Sequence, residues 1–144
     1  MPIRPQHRRL YPFDWRELSA SVRFRRAKGR CERCGRPHGE DVTHLGDGRW
    51  WDTETAAWRS GKGRRLSRLP PLPVWPDELP RTRVVLACAH LDHDPTNNAG
   101  RNLLALCQRC HLEHDRQDNW WRRWKTIWSR RAWADLFLGP YRLL

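Results

Sequence analysis

The chain has 144 residues, the size of one average domain, and carries 28 Lys and Arg against 16 Asp and Glu, a formal charge of +12. A surface this basic indicates a polyanionic partner such as nucleic acid. The longest uncharged apolar run, residues 84–89, is far shorter than the roughly 20 residues that span a bilayer, and residues 1–10 have no apolar signal-peptide core. These features argue against a membrane partner and against export, and they predict a cytoplasmic protein.

The first half of the chain is expected to form an arm, a helix and a hairpin. Residues 1–13 carry three prolines among basic residues and predict an extended arm. Asp14 is placed to cap a helix that ends near Gly29. Residues 42–58, with paired tryptophans around Gly-Asp-Gly, predict a short hairpin. The basic, glycine-containing and proline-rich residues 59–80 predict a loop or insertion.

The second half predicts a strand followed by helices. Residues 83–93 form the best strand in the sequence because they are β-branched and apolar, and Asp-Pro-Thr-Asn-Asn then ends it. A helix is expected over residues 102–115. Residues 119–137 contain tryptophans among arginines and lysines and predict one or two basic amphipathic helices.

Four of the five cysteines form two Cys-x-x-Cys pairs, Cys31 with Cys34 and Cys107 with Cys110. In a cytosolic chain this pattern favours a structural Zn²⁺ site over disulfides, and four thiolates satisfy tetrahedral zinc. Such a site would contribute folding free energy that a chain of mean hydropathy −0.92 cannot obtain from its core alone. Cys88, the fifth cysteine, is expected to be an inert buried thiol.

The most informative stretch places an acidic residue and a histidine after a strand, followed by an asparagine and a later histidine. Residues 88–94 have the sequence Cys-Ala-His-Leu-Asp-His-Asp, and residues 102–111 have the sequence Asn-Leu-Leu-Ala-Leu-Cys-Gln-Arg-Cys-His. This pattern resembles the HNH nuclease family, whose fold is the ββα-metal finger. The family's characteristic positions then match Asp92, His93, Asn102 and His111.

The resemblance implies a zinc-stabilised α+β fold, a ββα-metal (HNH) finger with flanking basic helices. It also implies that both Cys-x-x-Cys pairs form one structural zinc site, as in many family members. The predicted organisation is a single domain over residues 1–144, with a helix and first zinc knuckle at 14–36, a hairpin and Pro-rich insertion at 42–80, the ββα-metal core at 83–115, and a basic Trp-rich tail at 116–144.

Hydrolysis of a phosphodiester needs a cation to neutralise charge on the phosphate and a base to deprotonate water. Adjacent strand residues point to opposite faces, so Asp92 and His93 are expected to play different roles. Asp92 and His111 are predicted to hold a catalytic divalent metal, and His93 is predicted to be the general base. Asn102 is the second catalytic candidate, expected to tie the loop through backbone hydrogen bonds. Mg²⁺ or Mn²⁺ is expected, although Ni²⁺ or Zn²⁺ also suits such ligands.

Each of these residues also has a structural alternative. Asp92 could begin a turn, and Asn102 could be an ordinary helix N-cap. His90 shares the strand face of Asp92 and could be a third ligand, a phosphate contact or a buried histidine with a satisfied ring. Asp115 or His114 could complete the metal shell or lie in solvent near a helix end.

The tryptophan-rich tail allows three interpretations. Trp120, Trp124, Ile127 and Trp128 have helical spacing and are expected to pack onto the domain. Alternatively, Trp121 or Trp133 stacks on unpaired bases while nearby basic residues contact phosphates. A membrane-surface helix ranks last. The predicted DNA-binding residues are Arg122, Arg123, Lys125, Arg130 and Arg131.

The sequence thus predicts a metal-dependent DNA endonuclease that, by resemblance to the family, leaves 5′-phosphate ends. The alternatives are a non-catalytic zinc-knuckle module that binds nucleic acid, and an accessory subunit that partners a terminase in a phage DNA-packaging complex. A c-type haem site at residues 107–111 is disfavoured because it leaves the first cysteine pair unexplained.

Overall fold

The computed structural model of this protein describes residues 5–68 and 79–138, without the side chains of residues 5–7 and 132–138. Most of the proline-rich part of the predicted insertion, residues 69–78, lies outside the described residues. The chain divides into two compact units, and the boundary falls between residues 111 and 112. This boundary is close to the predicted start of the Trp-rich tail.

Short elements make up the first unit. A 3₁₀ helix at Pro5–Leu10 precedes α1, and a π-helical segment at Ser21–Arg26 follows it. The named helices of the chain are α1 (Trp15–Ala20), α2 (Gln108–His114) and α3 (Arg116–Leu138). The strands are β1 (Asp41–Thr43), β2 (Trp50–Asp52), β3 (Ala57–Arg59), β4 (Arg81–Arg83), β5 (Leu86–His90) and β6 (Leu103–Cys107).

The strands pair in three antiparallel two-stranded sheets within the described residues: β1 with β4, β2 with β3, and β5 with β6. In the β5–β6 hairpin Leu86 lies opposite Cys107 at one end and His90 lies opposite Leu103 at the other. Helix α2 follows β6 directly. The prediction of a small α+β fold is therefore confirmed.

The hydrophobic core is organised around the β5–β6 hairpin. Trp50, Leu86 and Leu106 are almost completely buried and belong to the same apolar cluster as the four paired cysteines. On the other side of β6, Leu103 and Ala105 pack with Val22 of the π-helical segment. The hairpin is thus covered on both faces, which explains why β6 is apolar at every position.

The predicted strand 83–93 and helix 102–115 were wrong in their boundaries. β5 ends at His90, and a 3₁₀ turn at Gly100–Asn102 leads into strand β6 instead of a helix. The helix begins only at Gln108. Leucine and alanine favour helices, but pairing with β5 and burial on both faces outweigh that weak preference.

Two N-terminal predictions were also wrong. The predicted extended arm includes a 3₁₀ helix at Pro5–Leu10, which is compatible with the backbone angle that proline fixes. The Asp14 side chain makes no capping hydrogen bond; its backbone carbonyl accepts hydrogen bonds from Glu17 and Leu18 instead. The predicted 42–58 hairpin forms between β2 and β3, while residue 42 belongs to β1 and pairs with β4.

The second unit contains one long helix. α3 is continuous from Arg116 to Leu138, and its tryptophan rings contact one another along the helix. Among the described residues, no helix has the length and apolar character needed to cross a membrane.

Candidate functional site

The two Cys-x-x-Cys pairs meet in one buried cluster. One Sγ atom from each of Cys31, Cys34, Cys107 and Cys110 lies within 4.8 Å of the others. All four residues are buried, with at most 2% of their surface exposed. The Sγ atoms of Cys34 and Cys107 are 3.6 Å apart. Because four clustered thiols match the donor set and number of a structural zinc site, the cluster could hold a metal ion such as zinc.

Local backbone geometry brings the first pair together. The Gly35 N–H donates to the Cys31 carbonyl over 2.7 Å, and Gly35 has a left-handed backbone with φ of +78°. A glycine adopts this conformation without steric cost, so it closes the knuckle. The second pair follows from the succession of elements, because Cys107 ends β6 and Cys110 lies in α2. The Cys107 N–H donates to the Cys31 Sγ over 3.3 Å.

Hydrogen bonding among the thiols separates their proton affinities. The hydrogen bond from the Cys110 thiol, with those of Cys31 and Cys34, lowers the pKa of Cys107 far below its ordinary value. The same contact with Cys107 raises the pKa of Cys110. Binding of a metal ion requires the thiols to be deprotonated, so the proton affinity of the cluster and its metal affinity are linked.

Arg36 is a residue of this site that the sequence analysis missed. Its side chain is buried, and its guanidinium donates to the Cys34 Sγ over 3.7 Å and to the Gly48 carbonyl over 3.0 Å. The guanidinium also lies over the Trp50 ring, 5.5 Å from its centroid. Four thiolates and one Zn²⁺ carry a net charge of −2, so a buried cation beside a ligand sulfur offsets part of this charge.

Glu32, between the first two cysteines, was also missed, and it attaches the knuckle to β6. Its N–H donates to the Ala105 carbonyl over 2.9 Å, and its carboxylate accepts from the Ala105 N–H over 2.7 Å. Arg26 forms a salt bridge to the same carboxylate over 2.7 Å. Only the position of Glu32 inside the Cys-x-x-Cys pair could have indicated this role.

A polar turn, residues 91–102, joins β5 to β6 at the other end of the hairpin. Asp92 accepts hydrogen bonds from the Asn102 Nδ2 over 2.8 Å, the Asn97 Nδ2 over 2.6 Å and the Asp94 N–H over 2.9 Å. These donors, Asn102 first among them, lower the pKa of Asp92 to about 2. The carboxylate is exposed and ionised at neutral pH.

Asn102 connects the two ends of the polar turn. Its Oδ1 accepts from the Asp92 N–H over 3.2 Å, and its Nδ2 donates to the Asn97 carbonyl over 2.8 Å. Asn102 is 8% exposed, so these contacts are shielded from water. They are the loop-tying hydrogen bonds expected of this residue, whereas the N-cap alternative does not apply because β6, not a helix, follows.

His93 lies in the polar turn and not on a strand. The argument that Asp92 and His93 face opposite sides of a strand was therefore wrong, because β5 ends before both of them. His93 is exposed and has a left-handed backbone with φ of +60°. This conformation is uncommon for residues other than glycine and is enriched at functional sites.

His90 is part of the packing beneath the polar turn. It is 8% exposed, its Nε2 lies 3.0 Å from the Asn98 Oδ1, and its ring stacks on Trp15 with centroids 5.1 Å apart. Tyr11 contacts the ring edge-on. These contacts favour the alternative of a buried histidine with a satisfied ring over that of a metal ligand.

The predicted metal ligands lie on separate elements. Asp92 is in the polar turn, His111 is in α2, and Asp115 follows α2 in the second unit. Across residues 8–68 and 79–131, whose side chains are described, no set of three His, Cys, Asp or Glu donors within 4.8 Å of one another contains Asp92 or His111. Their assignment to a catalytic metal stays a prediction.

The predicted DNA-binding residues all lie on α3, and each is exposed. The neighbouring apolar residues Trp120, Trp124, Ile127 and Trp128 are 42–58% exposed, and the expectation that they pack onto the domain stays a prediction. Trp121 is also exposed, at 51%. The side chain of Trp133 lies outside the described residues.

No protein-family model, curated protein or solved structure matches this chain. A function for it therefore rests on the chemistry of its own residues.

Proposed function

We propose that this protein is a metal-dependent DNA endonuclease of the HNH type, stabilised by one structural zinc ion. A single observation carries the proposal. The Asp92–His93 pair occupies the turn between two antiparallel strands, Asn102 ties that turn, and a helix bearing His111 follows the second strand directly. This is the strand, strand, helix order implied by the resemblance.

Structural zinc would be held by the four cysteines. The support is their complete burial, the mutual approach of their sulfur atoms and the charge of Arg36 beside Cys34. Each of these features would stabilise a bound metal ion. That ion would not contact substrate, because a buried four-thiolate site leaves no open ligand position.

The proposed chemistry uses the polar turn. His93 is the general base: its imidazole takes a proton from the water molecule that attacks the phosphorus atom, because an imidazole is an effective base at neutral pH. Its left-handed backbone and exposure support this role. Asn102 is the residue that holds the turn in place while the proton moves.

Asp92 and His111 would hold the catalytic metal. The low pKa of Asp92, about 2, keeps an anionic oxygen available, and an oxygen–imidazole donor set suits Mg²⁺ or Mn²⁺ and also Ni²⁺ or Zn²⁺. When bound, a divalent cation there would neutralise charge that develops on the phosphate and on the leaving 3′ oxygen.

The test is cleavage of supercoiled plasmid in Mg²⁺ or Mn²⁺ by the wild-type protein and by His93→Ala. Loss of a general base typically lowers the rate by about 100- to 10,000-fold, so the variant should leave the plasmid supercoiled. Zinc content, thermal unfolding and DNA affinity should be unchanged. His111→Ala should also be inactive, but excess Mn²⁺ should partly restore it.

A wild-type rate for His93→Ala would reject the assignment of the base. Unaltered cleavage by both variants would reject the HNH assignment of these residues and place the activity elsewhere. His90 is a poor substitute base because it is buried against Trp15.

One observation favours a second candidate, a non-catalytic module that binds nucleic acid. Both carboxylate oxygens of Asp92 already accept hydrogen bonds from its own turn, as they would in a purely structural turn. The plasmid assay separates the two, because such a module binds DNA without nicking it in any divalent metal. An accessory role beside a terminase would appear as cleavage that requires that partner.

A further inference from the structure

The exposed aromatic residues of α3 form one continuous surface. We call Trp120, Trp121, Trp124, Ile127 and Trp128 the tryptophan face. Their spacing of three and four residues places them on one side of the helix. Successive tryptophan rings touch, with centroids 5.1, 5.6 and 5.5 Å apart from Trp120 to Trp128. Each ring still has 42–58% of its residue surface exposed.

Positive charge surrounds this face. α3 contains six basic residues against two acidic ones. Arg131 follows Trp128 by three residues and Trp124 by seven, so it lies on the tryptophan face itself. At about 100° per residue, Arg123 and Lys125 fall on either side of the face. Such a surface suits a polyanion that also presents flat apolar rings.

We propose that the tryptophan face of α3 binds single-stranded DNA, with indole rings stacked on unpaired bases and Arg131 on a phosphate. The bases of a duplex are already stacked on one another, so their flat faces are available to tryptophan only when a strand is unpaired. Basic residues alone would not favour a single strand over a duplex, because the duplex has the higher density of phosphate charge. The exposed indoles are therefore the feature that favours unpaired DNA.

An anionic membrane surface is the competing polyanion. A helix that inserts into the interface needs an apolar face kept apart from its charges. On α3 the guanidinium of Arg131 lies within the apolar face, where insertion would remove it from water at high cost. A phosphate beside a stacked base accepts the same guanidinium in solvent.

This inference deepens the proposed nuclease function by naming unpaired strands as a substrate class. The statement that these strands are a substrate rests on the proposed function, whereas the binding itself does not. Binding is measured separately from cleavage, on the full-length zinc-loaded protein in buffer without added divalent cations. The probes are labelled oligothymidylate, an abasic strand of equal length and a duplex of equal length. The read-out is fluorescence anisotropy over a series of salt concentrations.

The deciding variant is the double substitution Trp121→Leu with Trp124→Leu. Leucine keeps the surface apolar and favours the helix, but it cannot stack on a base. Stacking losses of this kind correspond to about a tenfold or greater fall in affinity, so oligothymidylate should bind at least about tenfold more weakly. The matched control, Phe13→Leu, removes a fully exposed aromatic ring outside α3 and should bind as the wild type does.

The contribution of charge is tested with Arg131→Gln. The control is Arg25→Gln, which removes the same charge from an exposed residue of the first unit. Loss of one phosphate contact to a single strand should reduce the salt slope by about 0.7 for Arg131→Gln and leave it unchanged for Arg25→Gln. The abasic strand should bind the wild-type protein about as weakly as oligothymidylate binds the leucine variant.

Equal oligothymidylate affinity of the leucine variant and the wild type would overturn the proposal. Equal or tighter binding of the duplex would do the same, as would equal binding of the abasic strand. Two other results would also overturn it: capture of the wild-type protein by phosphatidylserine vesicles with no binding of oligothymidylate, and a tryptophan-dependent dimer that oligothymidylate does not dissociate. If the wild type binds oligothymidylate as described but cuts no plasmid, only the nuclease proposal fails.

Discussion

The two ends of the β5–β6 hairpin are built in opposite ways. At the Cys107 end, four cysteines are buried and their sulfur atoms point at one another. At the other end, the polar turn of residues 91–102 leaves Asp92 and His93 exposed, and side-chain amides of the turn donate hydrogen bonds to the Asp92 carboxylate. The strands between them separate the two ends by about 15 Å.

This contrast shows how one short hairpin can serve stability and chemistry separately. Buried thiols can hold a metal tightly, but they are inaccessible to a large substrate. An exposed carboxylate and imidazole are accessible, but they contribute little to the core. Substitutions at the cysteine end should therefore alter folding, and those at the turn should alter activity or local electrostatics.

The largest expected effect is that of Cys107→Ser, which removes one of the four sulfur ligands. Structural zinc is worth about 10 kcal/mol or more in zinc-finger peptides, comparable with the whole stability of a typical domain. We expect loss of about one equivalent of zinc together with the cooperative thermal transition. Zinc content by atomic emission and unfolding by circular dichroism measure both.

Cys88→Ser is the matched control for that experiment. Cys88 lies on β5 outside the cluster, and burial raises the pKa of its thiol to about 11, so it has little thiolate character at neutral pH. This variant should keep its zinc and unfold cooperatively. A Cys107→Ser protein that folds as stably as the Cys88→Ser protein would contradict the structural zinc site.

A smaller effect is expected where charge supports the same cluster without ligating the metal. Arg36→Met preserves much of the contact with Trp50 but removes the cation beside Cys34. Substitutions of residues that contact metal ligands typically lower metal affinity by about 10- to 100-fold. Competition with a chromogenic chelator should show a loss of this size.

Arg33→Met provides the comparison, because Arg33 lies in the same knuckle between the two cysteines but is exposed. Its loss should change zinc affinity by much less. If both methionine variants release zinc to the chelator equally, Arg36 does not compensate the charge of the cluster.

At the polar turn, Asn102→Ala should change the titration of Asp92. The Asn102 amide is the first cause of the low pKa of Asp92, about 2, so its removal should raise that pKa toward the ordinary value near 3.9. Carboxyl ¹³C chemical shifts followed downward from pH 6 to the onset of acid unfolding report this, because the Asp92 signal should begin to shift at a higher pH in the variant than in the wild type. Asn98→Ala is the control, since the Asn98 amide donates to the Pro95 and Thr96 carbonyls instead.

The sign of the associated pH dependence follows from the lowered pKa. A carboxyl group with a lower pKa in the folded state stabilises that state fully above about pH 4, and this contribution disappears as the pH falls through about 2. In Asn102→Ala the contribution should be smaller at neutral pH. An unchanged Asp92 titration in this variant would show that the remaining donors, Asn97 and the Asp94 N–H, suffice.

The cysteine cluster was predictable because its signal is chemical. Paired Cys-x-x-Cys motifs have few uses in a reduced compartment, so Cys31 and Cys107 could be brought together across a long insertion, whose entropic cost grows only slowly with length. Arg36 was not predictable, because one arginine among many has no sequence signal until folding buries it. The prediction of secondary structure failed at residues 103–107. Because β6 is buried on both faces, it lacks the alternation of apolar and polar residues that identifies a strand.

The sequence pattern names the residues of the proposed catalytic site, but it does not indicate their geometry. The pattern of Asp92, Asn102 and His111 carries the resemblance, yet nothing in it indicates that β5 stops at His90. The tryptophans of α3 show a different limit of sequence patterns. Their spacing predicted a helix correctly, but spacing alone cannot distinguish an apolar face that packs on a core from one that binds a ligand.

The smallest expected effect concerns the left-handed backbone of His93. A residue other than glycine in this conformation costs about 1–2 kcal/mol of folding free energy. Substitution by glycine removes this cost, but it also increases the conformational entropy of the unfolded chain, which cancels part of the stabilisation. His93→Gly should therefore raise the free energy of unfolding by no more than about 1 kcal/mol, measured in urea with zinc present. The same variant should cut plasmid no better than His93→Ala.

Ala56→Gly is the matched control for this change. Ala56 is exposed in the turn between β2 and β3 and has φ of +46°, so glycine relieves the same strain there and should leave cleavage unchanged. Comparable stabilisation of both glycine variants, with activity lost in only one, would mean that the His93 imidazole is retained for chemistry at the expense of stability. If His93→Gly instead destabilises the protein while Ala56→Gly does not, the histidine side chain supports the fold, and the contrast between the two ends of the hairpin fails at this residue.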